Sequence, residues 1–254
     1  MPTRKMIFAA AALAACLAAP CLAADVPAAV AAAVADSARP AADAARDANR
    51  KPAQTLAFAF AGIPPGARVA ELMPGGGYYT RLLSALAGSG GRVYVLTTPP
   101  RPNGPDPAAA ANAIAADAHY GNVTVQPLSF TDPTLGLTQP VDLVWTSDNY
   151  HDLHNQFSGA EMQDFNRRVF AALKPGGVYL VLDHAAAAGH GAGDAKTLHR
   201  IDPETVKAEV TAAGFQLAGA SDALRNPDDA HTAPVFDASV RGRTDQFIFR
   251  FVKP

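Results

Sequence analysis

From residue 67 onward, short apolar runs take turns with longer stretches of mixed polarity. Seven runs are rich in Val, Leu, Ile and Phe and have strand length: Ala67 to Leu72, Arg92 to Thr97, Val123 to Pro127, Val141 to Thr146, Val178 to Asp183, Phe215 to Ala220 and Gln246 to Val252. Helical patterns fall between them at Thr80 to Leu86, Ala108 to Ala118, Ala160 to Leu173 and Pro203 to Ala213, with a further short helix at Gln54 to Ala61. Asp202 caps the helix that begins with Pro203, and Lys174-Pro175-Gly176-Gly177 reads as a helix stop followed by a turn. Strands alternating with helices predict a mainly parallel sheet with helices on both faces. The last two runs have no helix signal between them, so the final strand is expected to return antiparallel.

The N-terminal pattern is different. Arg4 and Lys5 precede an uninterrupted apolar run from Met6 to Ala19, which is short for a permanent membrane anchor, and small residues follow at Cys21 and Ala23. Residues 1–23 read as a signal peptide, with export, in the periplasmic sense, as the expected destination. Leu13-Ala14-Ala15-Cys16 also resembles a lipobox, so attachment to a membrane would come only through lipid on Cys16. Residues 24–50 form an alanine-rich lead-in, flexible or weakly helical, and residues 51–254 form the folded domain.

The chain has 254 residues, 49% hydrophobic and 17% charged, which suits one globular α/β domain. Its formal net charge of −2 becomes −4 once the leader is removed. It has no run of clustered Lys and Arg, so nucleic acid is not the expected partner; a small molecule is. Both cysteines, Cys16 and Cys21, lie in the leader, so a chain cleaved after Ala23 would have neither a disulfide framework nor a thiol nucleophile.

The chemistry concentrates where strands end, because ligands of open α/β sheets sit beyond the carboxyl ends of their strands. Val69-Ala70-Glu71-Leu72-Met73-Pro74-Gly75-Gly76-Gly77-Tyr78-Tyr79-Thr80 is a buried strand with an acid near its end, then a glycine turn, then a helix. Glycines there admit positive φ and close approach of a ligand. The dinucleotide spacing G-x-G-x-x-G is absent, which disfavours a nicotinamide-dependent oxidoreductase. The fourth strand ends in Ser147-Asp148-Asn149-Tyr150-His151-Asp152-Leu153-His154, a burst of polar and aromatic side chains that marks a wet crevice. His151 is the candidate base, since its ordinary pKa lies near physiological pH. Asn149 and Tyr150 are candidates for orienting the substrate. Six of the seven histidines lie at or after the end of the fourth strand, but no zinc-type spacing occurs and no metal is assigned. Arg200 and Arg225 are candidate carboxylate binders. The loop 226–243 is long enough to serve as a lid or a substrate contact.

The stretch from Glu71 to Gly77 resembles the first motif of class I S-adenosylmethionine-dependent methyltransferases, an acid followed by G-x-G-x-G, with Met73 at the first glycine and Gly75 and Gly77 at the second and third. The order of the later segments fits the same family over roughly residues 50–254, and the strings Asn-Tyr-His-Asp and Pro-Gly-Gly-Gly-Tyr-Tyr-Thr resemble an exported, predicted branch of it. The resemblance implies a Rossmann-like, mostly parallel seven-stranded sheet whose last strand is antiparallel, with S-adenosyl-L-methionine as cofactor. It implies cofactor contacts at Glu71, Met73, Gly75, Gly77, Tyr79 and Thr97, and adenine contacts at Ser129 and Phe130. At the end of the second strand the family usually carries an acid for the ribose hydroxyls, where this chain has Thr97 and Thr98. That departure, together with export away from the site of cofactor synthesis, leaves open a non-catalytic ligand-binding protein that retains the fold.

Overall fold

The computed structural model describes residues 26–254. The leader, with Cys16, Cys21 and the proposed cleavage site after Ala23, lies outside the described residues. Four helices come first: α1 (Ala28–Val34), α2 (Ala41–Ala44), α3 (Asp47–Arg50) and α4 (Pro52–Ala59). The alternating part follows as β1 (Arg68–Leu72), α5 (Tyr78–Ala87), β2 (Arg92–Thr97), α6 (Ala109–Ala115), β3 (Val123–Pro127), β4 (Val141–Ser147), α7 (Tyr150–Leu153), α8 (Gly159–Ala172), β5 (Leu173–His184), α9 (Ala195–Leu198), α10 (Pro203–Ala212), β6 (Gln216–Ser221) and β7 (Gln246–Val252).

The strands form one seven-stranded sheet in the order β3-β2-β1-β4-β5-β7-β6. Pairing is parallel from β3 through β5, and β7 runs antiparallel to both of its neighbours, β5 and β6. The strand order reverses between β1 and β4, which opens a crevice at their carboxyl ends. Period-two alternation along the strands separates two cores. Ala70, Leu72, Val144 and Val181 point to the face covered by α8 and α10, and Val69, Leu143, Trp145 and Leu182 to the face covered by α4 and α5.

Two local features differ from the sequence expectation. Helix α5 begins at Tyr78, because Gly77 holds a left-handed φ of +78° and acts as its N-cap. Lys174 to Gly177 do not form a free turn before the strand. Leu173 already pairs with Val141 while Val178 pairs with Leu143, so the intervening residues bulge out of a continuous β5. Lys253 O accepts a hydrogen bond from Gly176 N, which ties the bulge to the end of the chain.

The alanine-rich lead-in is packed onto the domain. Val30 and Ala33 are buried, Arg39 is paired with Asp47 at 2.6 Å, and Tyr78 donates to the same Asp47 at 2.7 Å. Arg81 of α5 reaches Asp43 at 2.9 Å. These ties fix α3 beside the start of α5, and so beside the crevice. No helix among the described residues is long and apolar enough to cross a membrane.

Candidate functional site

The turn after β1 is built on three left-handed residues: Met73 at φ +50°, Gly75 at +56° and Gly77 at +78°. Met73 is the costly one, since a side chain in this region is disfavoured by roughly 1–2 kcal/mol. Its backbone is held on both sides. Met73 N donates to Leu96 O at 2.8 Å, and Asn149 Nδ2 donates to Leu72 O and to Met73 O, each at 3.0 Å. Thr146 Oγ1 donates to the Asn149 amide oxygen, so both amide hydrogens and one lone pair are engaged within the protein. Asn149 therefore staples the end of β4 to the turn after β1. Gly77 serves packing rather than a ligand, because a Cβ there would lie 2.2 Å from Ile114 Cδ1 on α6.

Glu71 lies beneath this turn. It is buried and accepts a hydrogen bond from Thr80 Oγ1 in the first turn of α5 at 2.5 Å. Burial pushes its carboxyl up to about 7, against the opposing hydrogen bond from Thr80 and the charge of Arg81. Strand parity turns Glu71 towards α5, so it supports the turn from below instead of lining the crevice.

The crevice holds two adjoining cavities. The first, about 610 Å³, is lined by Met73, Gly75, Gly76 and Tyr79 from the turn and helix α5, by Thr97 and Thr98 after β2, and by Ser147, Asp148 and Asn149 after β4. Arg46 just before α3, Arg50 at its end and Asp106 of the proline-rich loop complete it. Arg50 pairs with Asp148 at 2.9 Å and lies over the Tyr79 ring. Arg46 lies over the Tyr78 ring, and burial and the charge of Arg50 lower its pKa. The Tyr79 hydroxyl is buried and has no hydrogen-bond partner among the described residues. The sequence reading missed Arg46, Arg50 and Asp106. The two arginines stand four residues apart in a segment taken for a lead-in, a spacing that puts both on one helix face.

The second cavity, about 590 Å³, shares Arg46, Arg50, Asp148 and Asp152 with the first. His151, His184 and His199 line it, with Phe236 and Arg241 from the long loop 226–243. That loop does reach the crevice, as its length suggested. His151 is held by the buried Asp183 at the end of β5: ring Nδ1 lies 2.7 Å from Asp183 Oδ1, and backbone N donates to Asp183 Oδ2 at 2.8 Å. Burial opposes a charge on His151, but the Asp183 carboxylate outweighs it and raises the histidine above its ordinary pKa. In turn His151 holds Asp183 below the usual carboxylate range despite burial. His184, buried beside it, is pushed down by desolvation. No sequence-adjacent signal pairs residues 151 and 183; the pair forms only because β4 and β5 are neighbours.

Other expected site residues lie elsewhere. Tyr150 points into the core, with its hydroxyl 2.8 Å from Glu209 and 2.9 Å from Asn166. It is therefore corrected from a substrate-orienting residue to an interior one. Ser129 accepts from Asp132 N in its own loop, and Phe130 packs edge-on against Phe157 at 5.0 Å. Neither lines either cavity. Arg200 is fully buried in a two-pronged ion pair with Asp229, and Arg225 pairs with Asp245, so the carboxylates expected for both arginines are the chain's own.

No family model matches the chain, and no curated protein matches it. Solved structures do. A putative sarcosine dimethylglycine methyltransferase from Galdieria sulphuraria superposes with a TM-score of 0.58 at 15% identity, covering 84% of this chain and 87% of its own. The N-methyltransferase NodS from Bradyrhizobium japonicum gives 0.56 at 14% identity, over 83% and 96%. The glycopeptide N-methyltransferase MtfA, solved with S-adenosyl-L-methionine, gives 0.52 at 16% identity, over 82% and 87%. At these identities the likeness shows the fold, which is that of class I methyltransferases.

Proposed function

We propose that the protein is an S-adenosyl-L-methionine-dependent methyltransferase acting on a small acceptor, with the cofactor in the first cavity and the acceptor in the second. The observation that carries this reading is the adjacency of the two cavities at the switch point of the sheet, separated by the Arg50–Asp148 pair and with His151 on the acceptor side. When bound, the cofactor supplies a methyl group on a cationic sulfur.

The residues present suit such a ligand. The left-handed backbone at Met73 and Gly75 leaves the turn open towards the first cavity, and the Tyr79 hydroxyl beside it has a hydrogen bond to offer. Arg46 and Arg50 suit the carboxylate of an amino-acid moiety. Asp106 places an acid in the same cavity as Thr97 and Thr98, which offsets the missing acid at the end of β2. On the acceptor side, Asp183 holds Nδ1 of His151 and turns Nε2 towards the cavity, where it can take a proton from an acceptor hydroxyl, thiol or amine.

Calorimetry with S-adenosyl-L-methionine and with its demethylated product tests the reading. Binding in the micromolar to sub-millimolar range is expected, weakened in Arg50→Ala. Absence of heat with either compound, on protein shown to be folded, would sink it. The leader reading adds a location: we propose an exported, periplasmic protein cleaved after Ala23, or one anchored through Cys16. Mass spectrometry of the mature N-terminus separates these two and exposes an uncleaved chain.

A further inference from the structure

One cluster in the second cavity joins His151 to two residues, Asp152 and His199, that have no role in the reading above. His151 Nε2 lies 3.3 Å from His199 Nδ1 and 3.4 Å from Asp152 Oδ1, and His199 Nδ1 lies 3.5 Å from the same Asp152 oxygen. Three ligand-type atoms thus form a nearly equilateral triangle. In a tetrahedral site with bonds of about 2.1 Å, any two ligand atoms stand about 3.4 Å apart. The triangle has the size of one face of that tetrahedron.

We propose that His151, His199 and Asp152 form a binding site for a divalent cation of the zinc class, with its fourth position open to the second cavity. Two further observations support it. Asp183 accepts a hydrogen bond from Nδ1–H of His151, which leaves the Nε2 lone pair directed at the triangle; a carboxylate behind a histidine is the usual orienting arrangement at metal sites. His199 holds a left-handed backbone, φ +55° and ψ +49°, at the end of α9, and this conformation brings its ring to the cluster. Two imidazoles and one carboxylate select zinc, cobalt, nickel or copper over magnesium and calcium, which prefer all-oxygen shells. All three ligands line the second cavity, so a water or an acceptor atom there has access to the remaining position. The site rests on its own geometry and not on methyl transfer. It does change one role: with the cation bound, His151 Nε2 is a ligand and no longer a base.

The test uses untagged full-length protein, stripped with chelator, dialysed and titrated with Co²⁺ in the absence of any cofactor. One Co²⁺ per chain is expected, with the visible absorption of a four- or five-coordinate ion, displaced by Zn²⁺. His199→Ala and Asp152→Ala are each expected to weaken binding at least about tenfold, and Asp183→Asn by about 10- to 100-fold through the orientation of His151. His190→Ala, in the surface His190–Asp194 pair, is expected to leave binding unchanged. Fewer than about one ion per ten chains, no visible spectrum, or binding lost in His190→Ala but kept in His199→Ala overturns the site. Cofactor calorimetry is a separate readout, so the metal site and the methyltransferase reading can fail independently.

Discussion

Asp183 holds His151 twice, through the ring Nδ1 at 2.7 Å and the backbone N–H at 2.8 Å. One carboxylate therefore sets the ring's tautomer, its orientation and the position of the helix that carries it. In metal-free protein, His151→Ala is expected to lower kcat by about 10²- to 10⁴-fold, the usual range for loss of a general base. Activity should rise with pH to a plateau above the raised pKa of His151, since only the neutral ring accepts a proton. In Asp183→Asn the supporting charge is gone while burial remains, so the inflection should move to lower pH. A pH–rate profile that keeps its inflection in that variant rules out the pairing as its cause.

Glu71 makes the stability of the fold depend on pH. Its carboxyl titrates near 7 in the folded protein and near 4.5 in the unfolded chain, so between these values the folded state binds the extra proton. Its contribution is fully present below about pH 4.5 and is lost as pH rises through 7. The shift corresponds to about 3–4 kcal/mol at most, at roughly 1.4 kcal/mol per unit. Glu71→Gln keeps the shape and an acceptor for Thr80 while removing the charge. It should raise the melting temperature at pH 8 and leave it nearly unchanged at pH 4.5. Differential scanning calorimetry at the two values checks this.

Arg46 and Arg50 predict a graded effect on cofactor affinity. Losing a charge-assisted hydrogen bond costs about 1.5–3 kcal/mol, or about 10- to 100-fold in Kd. Arg46→Ala should weaken binding with little loss of stability. Arg50→Ala should do both, because it leaves Asp148 without its partner at 2.9 Å. Titration calorimetry together with thermal melts distinguishes the two, and equal affinities in wild type and Arg46→Ala would remove Arg46 from the site.

The glycines of the turn should respond unequally. Gly75→Ala meets open space and bears only the left-handed strain, roughly 1–2 kcal/mol. Gly77→Ala bears the same strain and also drives a Cβ to 2.2 Å from Cδ1 of the buried Ile114, so that side chain must repack. A loss of at least about 3 kcal/mol is expected by urea denaturation. Similar losses for the two variants would show that Ile114 yields freely.

The sheet was legible because its signals are local. Apolar runs at Arg92 to Thr97 and Gln246 to Val252, and the cap at Asp202, depend on neighbours in sequence and coincide with the observed elements. The glycine turn was legible for the same reason. The environment of His151 was not, because it is assembled from distant segments. Asp183 meets His151 across two strands, and His199 arrives from a loop after β5. The alanines of residues 24–50 hid a small number of anchoring residues: Arg39, Asp43 and Asp47 fasten the segment, and its remaining arginines face the crevice. Glu71 and Tyr150 were assigned to the ligand on motif position alone. Strand parity and helix facing, which decide where a side chain points, sent one under the turn and the other into the core.

The two cavities share a charged wall, with Arg50 and Asp148 lining both. Asp148 is gripped from one side by Arg50 and from the other by Gln246, with His184 at 3.7 Å. A carboxylate that draws Arg50 into the first cavity loosens its hold on Asp148 and shifts charge towards the second. If the proposed function holds, occupancy of one chamber is expected to alter the affinity of the other, by the same factor in both directions.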